Sequence, residues 1–383
     1  MPRAWRVAYV IGELGNGGAE YQLYELVRGL DRTRVDPTVL VLAAGGYWAA
    51  RIRDLRVVVE EIAGRGSADL GRLRRLRAVL RRLAPDVLHT VLWSGNCYGR
   101  MAALGLGIPV VIAAERNVIA RPAWQVAVER VLDRSTDAYL VNSGAVADGL
   151  VTHERLPAAK IRVVHNGIDL TRLPPFSLDR VAARRTAGFD PQRRLVAQVG
   201  RLTAQKDYPT FLAAAARVAV EVADVDFLVV GEGELLRSEL EAEVGRLDLG
   251  GRVRFLGLRH DVPALLGAVD VLVLTSRYEG LPNVVIEAMA TGAVAVATDV
   301  GGARELLVSG ETGFIVPPGD AQAVADAVLA VLRAPESALR TAAAARRRVE
   351  TEFTVDAMVR RTTELYERCL ARTRPAGRAV AAA

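Results

Sequence analysis

The stretch Asp270-Val-Leu-Val-Leu-Thr-Ser-Arg-Tyr-Glu-Gly-Leu-Pro-Asn-Val-Val-Ile-Glu287 reads as a short buried strand, a loop and the start of a helix. The uncharged run Val271 to Leu274 suits a strand covered on both faces, and Pro282 suits the first helical position, where its missing N–H costs nothing. Glu279 then lies on the loop and Glu287 inside the helix, roughly 8 Å from its mouth at 1.5 Å per residue. The first-turn amides, near Leu281 to Val284, are predicted to point at whatever occupies that mouth, and the helix dipole favours a negative group there. A phosphate flanked by polyhydroxyl groups fits such a site.

The same alternation of strand and helix recurs on either side. Short β-branched runs stand at Arg6 to Ile11, Thr38 to Leu42, Asp86 to His89, Val110 to Ala113, Ala138 to Val141 and Arg162 to Val164. A stretch with Pro174, Pro175 and Pro191 then has the look of a connector. A second series follows at Leu195 to Val199, Asp226 to Val230, Val253 to Phe255, Val271 to Thr275 and Ala293 to Ala297. The economical reading is an α/β protein of two doubly wound, Rossmann-like parallel-sheet domains facing a cleft. Its expected parts are residues 1–175, residues 190–350, a helical segment at 351–370 and a disordered tail at 371–383 without apolar periodicity. Ligands of such sheets bind beyond the carboxyl ends of strands, so the informative loops begin near Gly12, Gly200, Gly231, Gly257, Ser276 and Asp299.

Bulk properties agree with this plan. A chain of 383 residues, 51% hydrophobic and 25% charged, is too long for one ordinary core. Fifty basic against 44 acidic residues leave a net charge of +6, which favours acidic ligands or an anionic surface without identifying either. Only Lys160 and Lys206 are lysines. Cys97 and Cys369 show no metal or redox spacing, so a reducing cytoplasm is expected. The apolar run Val7 to Gly12 is too short for a signal-peptide core, and Met101 to Ala114 falls short of the roughly 20 residues of a spanning helix.

Several loops carry groups with chemical use. Arg201 and Lys206 follow the strand ending at Val199 and are predicted to leave the sheet on the same side as Glu279, where two cations suit a diphosphate; alone, the pair would read as solvated surface charge. Gly12-Glu-Leu-Gly-Asn-Gly-Gly-Ala-Glu20 enters a helix and lets backbone approach a phosphate, although a lone glycine-rich loop is a weak signal. Neither Gly15-x-Gly17 nor Gly231-x-Gly233 completes the dinucleotide fingerprint, since Glu20 and Leu236 stand where the third glycine belongs, and this demotes a dehydrogenase. Asp224-Val-Asp226 resembles a metal-binding D-x-D but precedes its strand, and no His/Asp/Glu cluster has metal spacing elsewhere, so no metal or other cofactor is expected. Gly71 to Leu83 forms a basic amphipathic helix whose leucines 73, 76, 80 and 83 suit packing on the sheet and whose six arginines suit an anionic membrane. Nucleic acid is disfavoured because no interleaved aromatics accompany the charge.

Together these loops resemble the family 4 retaining glycosyltransferases of GT-B fold over nearly the whole chain. The resemblance runs through Gly17-Gly-Ala-Glu20, Val141-Asn-Ser143, Val164-His-Asn-Gly-Ile-Asp169, Gly200-Arg-Leu-x-x-x-Lys206, Val230-Gly-Glu-Gly233 and Phe255-Leu-Gly257. It continues through Glu279-Gly-Leu-Pro-Asn-x-x-x-Glu287, Gly301-Gly-x-x-Glu305 and Gly313-Phe-x-Val316. It implies a nucleotide-sugar donor held mainly by the C-terminal domain and a glycan or lipid-linked acceptor presented by the N-terminal one, in surface polysaccharide or glycolipid synthesis at the cytoplasmic side of a membrane. By the same resemblance, Arg201 and Lys206 neutralise the departing diphosphate, helped by amides at Gly280, Leu281 and Asn283 and by Gly18. Glu279 bonds sugar hydroxyls, Glu287 the ribose hydroxyls, and Leu258 offers backbone to the base. Transfer is expected to retain configuration without metal, from a UDP-sugar in preference to a GDP-sugar. Many members carry a His after the strand matching Val110 to Ala113; here Ala114-Glu115-Arg116-Asn117 puts Arg116 in that place, or Glu115 or Asn117 if the register is off by one. His89 matches a strand-end His of relatives, a position more often structural than catalytic. A non-catalytic nucleotide-sugar-binding subunit and a GT-B epimerase share the fold as alternatives.

Overall fold

The computed structural model describes residues 3–62, 64, 66, 69–117, 121–174, 176 and 179–373. The chain forms two units, one of Met1–Gly167 with Val355–Ala383 and the other of Ile168–Thr354. The first holds seven parallel strands: β1 (Trp5–Ile11), β2 (Val35–Val41), β3 (Val58–Glu61), β4 (Val87–Val91), β5 (Val110–Glu115), β6 (Ala138–Val141) and β7 (Ile161–Val163). Their order is β3-β2-β1-β4-β5-β6-β7, so the winding reverses between β1 and β4. The second unit holds β8 (Arg194–Val199), β9 (Val225–Val230), β10 (Val253–Gly257), β11 (Val271–Leu274), β12 (Val294–Thr298) and β13 (Phe314–Val316). Their order, β10-β9-β8-β11-β12-β13, reverses between β8 and β11.

The central strands are mostly apolar because helices cover both faces: β4, β5, β9, β11 and β12 are buried at every position, the polar exceptions being His89, Thr90, Glu115, Asp226 and Thr298. Each buried Val or Leu among them contributes about 1.5–3 kcal/mol of transfer free energy. The edge strands are harder to read. β3 is Val-Val-Glu-Glu with none of its residues buried, and β13 has three residues, so neither carries a sustained apolar run. β2 begins at Val35, three residues before the expected Thr38, and contains Pro37. The proline is tolerated because β3 pairs only with Thr38 to Val41, which leaves β2 an edge strand at Pro37.

Helix Val355–Thr373 closes the first unit. Val355, Met358, Leu365, Tyr366 and Cys369 recur at helical spacing and join the core of Val7, Tyr9 and Ile11. Gly29 permits the contact with helix Gly18–Gly29, since a Cβ there would fall 2.8 Å from Val359 Cγ2. This helix takes in residues 371–373, where the sequence reading begins a disordered tail; the rest of that tail lies outside the described residues. The expected connector also contains a helix, Arg180–Thr186, capped by Asp179, whose carboxylate accepts from Ala182 N at 3.2 Å. Buried Arg184 anchors it by donating to Ala268 O at 3.1 Å and pairing with Asp270. The basic helix runs Leu70–Leu83 with Leu76 and Leu80 buried and Leu73 and Leu83 packed beside them, so its stripe faces the sheet. Asp224 and Asp226 pair with Arg194 and Arg193 at the amino end of β9, the wrong end for a diphosphate-bound metal. No helix among the described residues is long and apolar enough to cross a membrane.

Candidate active site

The loops after β8 and β11 flank the reversal of strand order in the second unit, the place where doubly wound sheets bind ligands. They are bonded to each other. Thr275 Oγ1, at the end of β11, donates within 3.0 Å of Lys206 O and 2.8 Å of Asp207 O, and Gln198 Nε2 donates to Lys206 O at 2.7 Å. Arg277 N donates to Gln205 O at 2.8 Å and Gln205 Nε2 to Tyr278 O at 2.9 Å. Across this seam Lys206 Nζ meets Glu279 Oε1 at 2.5 Å, and Ser276 Oγ donates to the same oxygen at 2.6 Å. Both charged side chains are largely buried, at 16% and 9% exposure, so the ion pair is shielded from screening by solvent.

Arg201 lies exposed on the first of these loops. Leu202 N donates to Glu232 O at 2.8 Å and ties that loop to the turn after β9. The approach is close enough that a Cβ on Gly231, whose φ is +142°, would fall 1.9 Å from Gly200 O. Leu258 follows β10 beyond a register shift between Phe255 and Gly257 and is 41% exposed.

The helix that follows Glu279 runs Asn283–Thr291. Pro282 is its N-cap, not its first helical residue as expected: its ψ of 113° is extended, so the turn begins one residue later. Gly280 and Leu281 are buried ahead of it, and Gly302 N donates to Gly280 O at 2.6 Å. Glu287 projects from the second turn, half-buried, and desolvation by burial pushes its carboxyl up to about 7. The second unit therefore brings together Lys206, Glu279, Gly280, Leu281 and Asn283 on two bonded loops, with Arg201 on the first and Glu287 one helical turn beyond.

Gly18 and Arg116 belong to the first unit. Gly18 opens helix Gly18–Gly29 after the N-cap Gly17, where a Cβ would fall 2.2 Å from Glu20 Oε2. Arg116 is buried beyond β5 and donates from Nη1 to Asn166 Oδ1 at 2.7 Å, while Asn142 Nδ2 donates to its carbonyl at 3.3 Å. Burial lowers its guanidinium to about 10 despite the carboxylate of Glu20. His89 is enclosed, with Nδ1 2.6 Å from Tyr366 Oη, and burial with the charge of Arg116 holds the imidazole down to about 3. It is therefore neutral at neutral pH.

Sequence reasoning missed a buried ionic cluster around β5. Arg100, fully enclosed, grips Glu129 through Nη1 at 2.7 Å and Nη2 at 2.6 Å. Arg121 reaches Glu115 at 2.6 Å and Glu154 at 3.1 Å. Burial raises Glu115, and raises Glu154 to about 7. Partners up to 33 residues apart leave no local pattern to find, although a Glu at the end of an otherwise apolar strand is a usable hint.

Comparison with known proteins gives two family matches: "Glycosyltransferase Family 4" over residues 16–172 and "Glycosyl transferases group 1" over residues 193–334. Alpha-maltose-1-phosphate synthase of Mycolicibacterium smegmatis is 32% identical over 326 residues, covering 79% of this chain and 82% of the relative. An Escherichia coli enzyme named UDP-Gal:alpha-D-GlcNAc-diphosphoundecaprenol alpha-1,3-galactosyltransferase is 26% identical over 69% of this chain and 70% of its own. Among solved structures, HepE of Anabaena in complex with UDP superimposes with a TM-score of 0.84 at 22% identity, over 95% of this chain and 100% of the other.

Proposed function

Because the chain belongs to the group 1, family 4 glycosyltransferases of GT-B fold, we propose that it moves a hexose or N-acetylhexosamine from a nucleotide diphosphate sugar, UDP in preference to GDP, to a glycan or lipid-linked acceptor. Retention of configuration, independence of metal, and a place in surface polysaccharide or glycolipid synthesis are part of this reading. The observation that carries it is the Lys206–Glu279 pair at the head of helix Asn283–Thr291, on the two loops that flank the strand reversal. The diphosphate takes its place between Lys206, Arg201 and the helix mouth. Negative charge grows on this leaving group as the glycosidic bond breaks, so cations held in advance lower the barrier instead of only binding substrate. In this scheme Lys206 exchanges Glu279 for phosphate oxygens, which turns the carboxylate toward the sugar hydroxyls. Glu287 accepts from the ribose hydroxyls, Leu258 meets the base, and Gly280, Leu281 and Asn283 supply backbone. The diphosphate takes the acceptor proton. Support for a donor of the UDP class comes from the Escherichia coli relative, whose name carries UDP-Gal. Exposed Arg74 and Arg81 on helix Leu70–Leu83 suit peripheral contact with anionic lipid on the cytoplasmic face.

The test combines thermal shift and turnover. UDP is expected to raise the melting temperature by mass action, and more than GDP at equal concentration. Arg201→Ala, Lys206→Ala and Glu279→Ala are each expected to abolish sugar transfer while the circular dichroism spectrum stays native. Undiminished transfer in all three, or no thermal response to any nucleoside diphosphate, overturns the proposal.

A further inference from the structure

The two residues after Lys206 spend their side chains on the neighbouring loops. Asp207 is the N-cap of helix Tyr208–Glu221, the place where an aspartate ordinarily accepts from first-turn amides, yet its carboxylate makes no capping bond. Its backbone has φ +47° and ψ +51°, a left-handed conformation uncommon outside glycine and found often at functional sites. The carboxylate is 5% exposed and turns instead to Arg277, with Oδ2 3.3 Å from Nε and Oδ1 accepting from Nη2 at 3.5 Å. Arg277 stands just ahead of Glu279, so this pair spans the same two loops as Lys206 and Glu279. Tyr208 makes a second tie. Its ring joins the core of Phe211 and Phe227, and its hydroxyl donates to Gly200 O at 2.6 Å. Gly200 lies under the stem of Lys206, where a Cβ would fall 3.0 Å from Lys206 Cε, and the carbonyl held by Tyr208 belongs to the peptide that leads into Arg201.

Packing and helix stability explain neither contact. A phenylalanine would fill the same core volume, and an aspartate that capped the helix would stabilise it more than one that forgoes the bond in a left-handed turn. Both contacts aim at one place: Tyr208 fixes the floor beneath Lys206 and the entry to Arg201, and Asp207 fixes the loop of Glu279. We propose that Asp207 and Tyr208 are positioning residues of the transfer site, holding the ammonium of Lys206 and the backbone of Arg201 in the geometry that meets a diphosphate. The inference rests on the glycosyl-transfer reading for the identity of that diphosphate. What the two residues supply is preorganisation, since fixed charges lower the barrier most when nothing has to rearrange as negative charge grows on the leaving group. Neither side chain touches substrate, so their loss lowers kcat more than donor affinity.

Release of UDP by the full chain from saturating UDP-glucose, UDP-galactose and UDP-N-acetylglucosamine, with water as acceptor, tests this beside UDP affinity by calorimetry. Tyr208→Phe, Asp207→Gly and Arg277→Met are each expected to lower kcat about tenfold, the scale of one hydrogen bond, and to weaken UDP binding about twofold or less. Glycine accepts the left-handed backbone, so Asp207→Gly removes the carboxylate without straining the turn. Asp207→Asn keeps an acceptor oxygen for Arg277 and tolerates that backbone, and is expected to recover most of the rate. The double variant Asp207→Gly/Arg277→Met is expected to be no slower than either single one, because the two side chains make one contact. Tyr139→Phe removes a buried hydroxyl of the first unit, bonded to Asp133 Oδ1 at 3.2 Å, and is expected to leave kcat unchanged. Arg277 is 63% exposed, so its variant remains informative if Tyr208→Phe does not fold. Wild-type kcat in the single variants, a loss confined to UDP affinity, or additive losses in the double variant overturns the proposal. No UDP release by the wild-type chain counts against the transfer reading alone, and hydrogen exchange then judges the positioning. Amides of residues 200–206 and 276–280 are expected to exchange about tenfold faster in Tyr208→Phe and Asp207→Gly, and unchanged exchange overturns it.

Discussion

Lys206 and Glu279 are 73 residues apart in sequence and 2.5 Å apart in space. The chemistry of each was legible from its own loop, a lysine after a buried strand and a carboxylate before a helix, whereas their pairing depends on register between non-consecutive strands. Replacing Lys206 by Met keeps the aliphatic stem that packs beneath Gly200 and removes only the charge. The expected loss in kcat is about 10²–10³-fold, in the range for removing one preorganised group that stabilises transition-state charge. A smaller change in donor Kd, measured by calorimetry, separates this from simple loss of binding. Glu287 makes a second prediction. Its ordinary value of 4.5 is raised to about 7 by burial, so the folded state keeps the proton longer than the unfolded chain. Stability from this group is then full below about 4.5 and falls as pH rises to about 7, by at most about 1 kcal/mol per pH unit. Glu287→Gln should flatten that slope in urea unfolding series between pH 5 and 8. If Glu287 accepts from ribose hydroxyls, UDP binding to the native protein should tighten as pH rises through 7, and the Gln variant should bind weakly and without that dependence.

At the scale of elements, the loops hold their geometry through glycines that leave no room for a side chain. Gly301, after β12, has φ +54°, and a Cβ on it would fall 2.1 Å from Glu279 O. Gly301→Ala must therefore move the loop that carries Glu279. We expect destabilisation of about 1–3 kcal/mol from the backbone strain, with a larger proportional loss of transfer than of stability, read by comparing chemical denaturation with turnover. An unchanged kcat in a destabilised variant would place the loop outside the site. The central strands were legible because burial on both faces demands runs dominated by Val, Leu, Ile and Ala. β3 and β13 were not, because an edge strand needs cover on one side only and can be short. Helix Arg180–Thr186 escaped notice for a different reason: neighbouring prolines suggest a connector, while what orders the segment is the anchoring of Arg184 to Ala268 O and Asp270, far off in sequence.

At the scale of the whole molecule, the chain leaves its first unit at Gly167 and returns to it at Val355, so the second unit is an insertion with both ends at one place. Ile168 N donates to Phe353 O at 2.8 Å, which ties those ends together within the second unit. The second unit also has its own cores, around Leu195, Leu228 and Leu272 on one face and Phe211, Phe227 and Val273 on the other. Residues 168–354 expressed alone are expected to fold cooperatively and to keep UDP binding, since the proposed diphosphate, sugar and ribose contacts of Lys206, Glu279 and Glu287 are all contained in them. Residues 1–167 alone are expected to fail, because without helix Val355–Thr373 the surface of Val7, Tyr9, Ile11 and helix Gly18–Gly29 loses the cover of Met358, Leu365 and Tyr366. Tyr366 adds a polar reason: it is the partner of His89 Nδ1 and lies 3.2 Å from Tyr9 Oη, so its loss strands buried polar groups at about 1–3 kcal/mol each. Joining residues 355–373 to 1–167 through a short glycine-serine linker should restore a sharp thermal transition. A native-like 1–167 without that helix, by circular dichroism and calorimetry, would show that the insertion point was drawn in the wrong place.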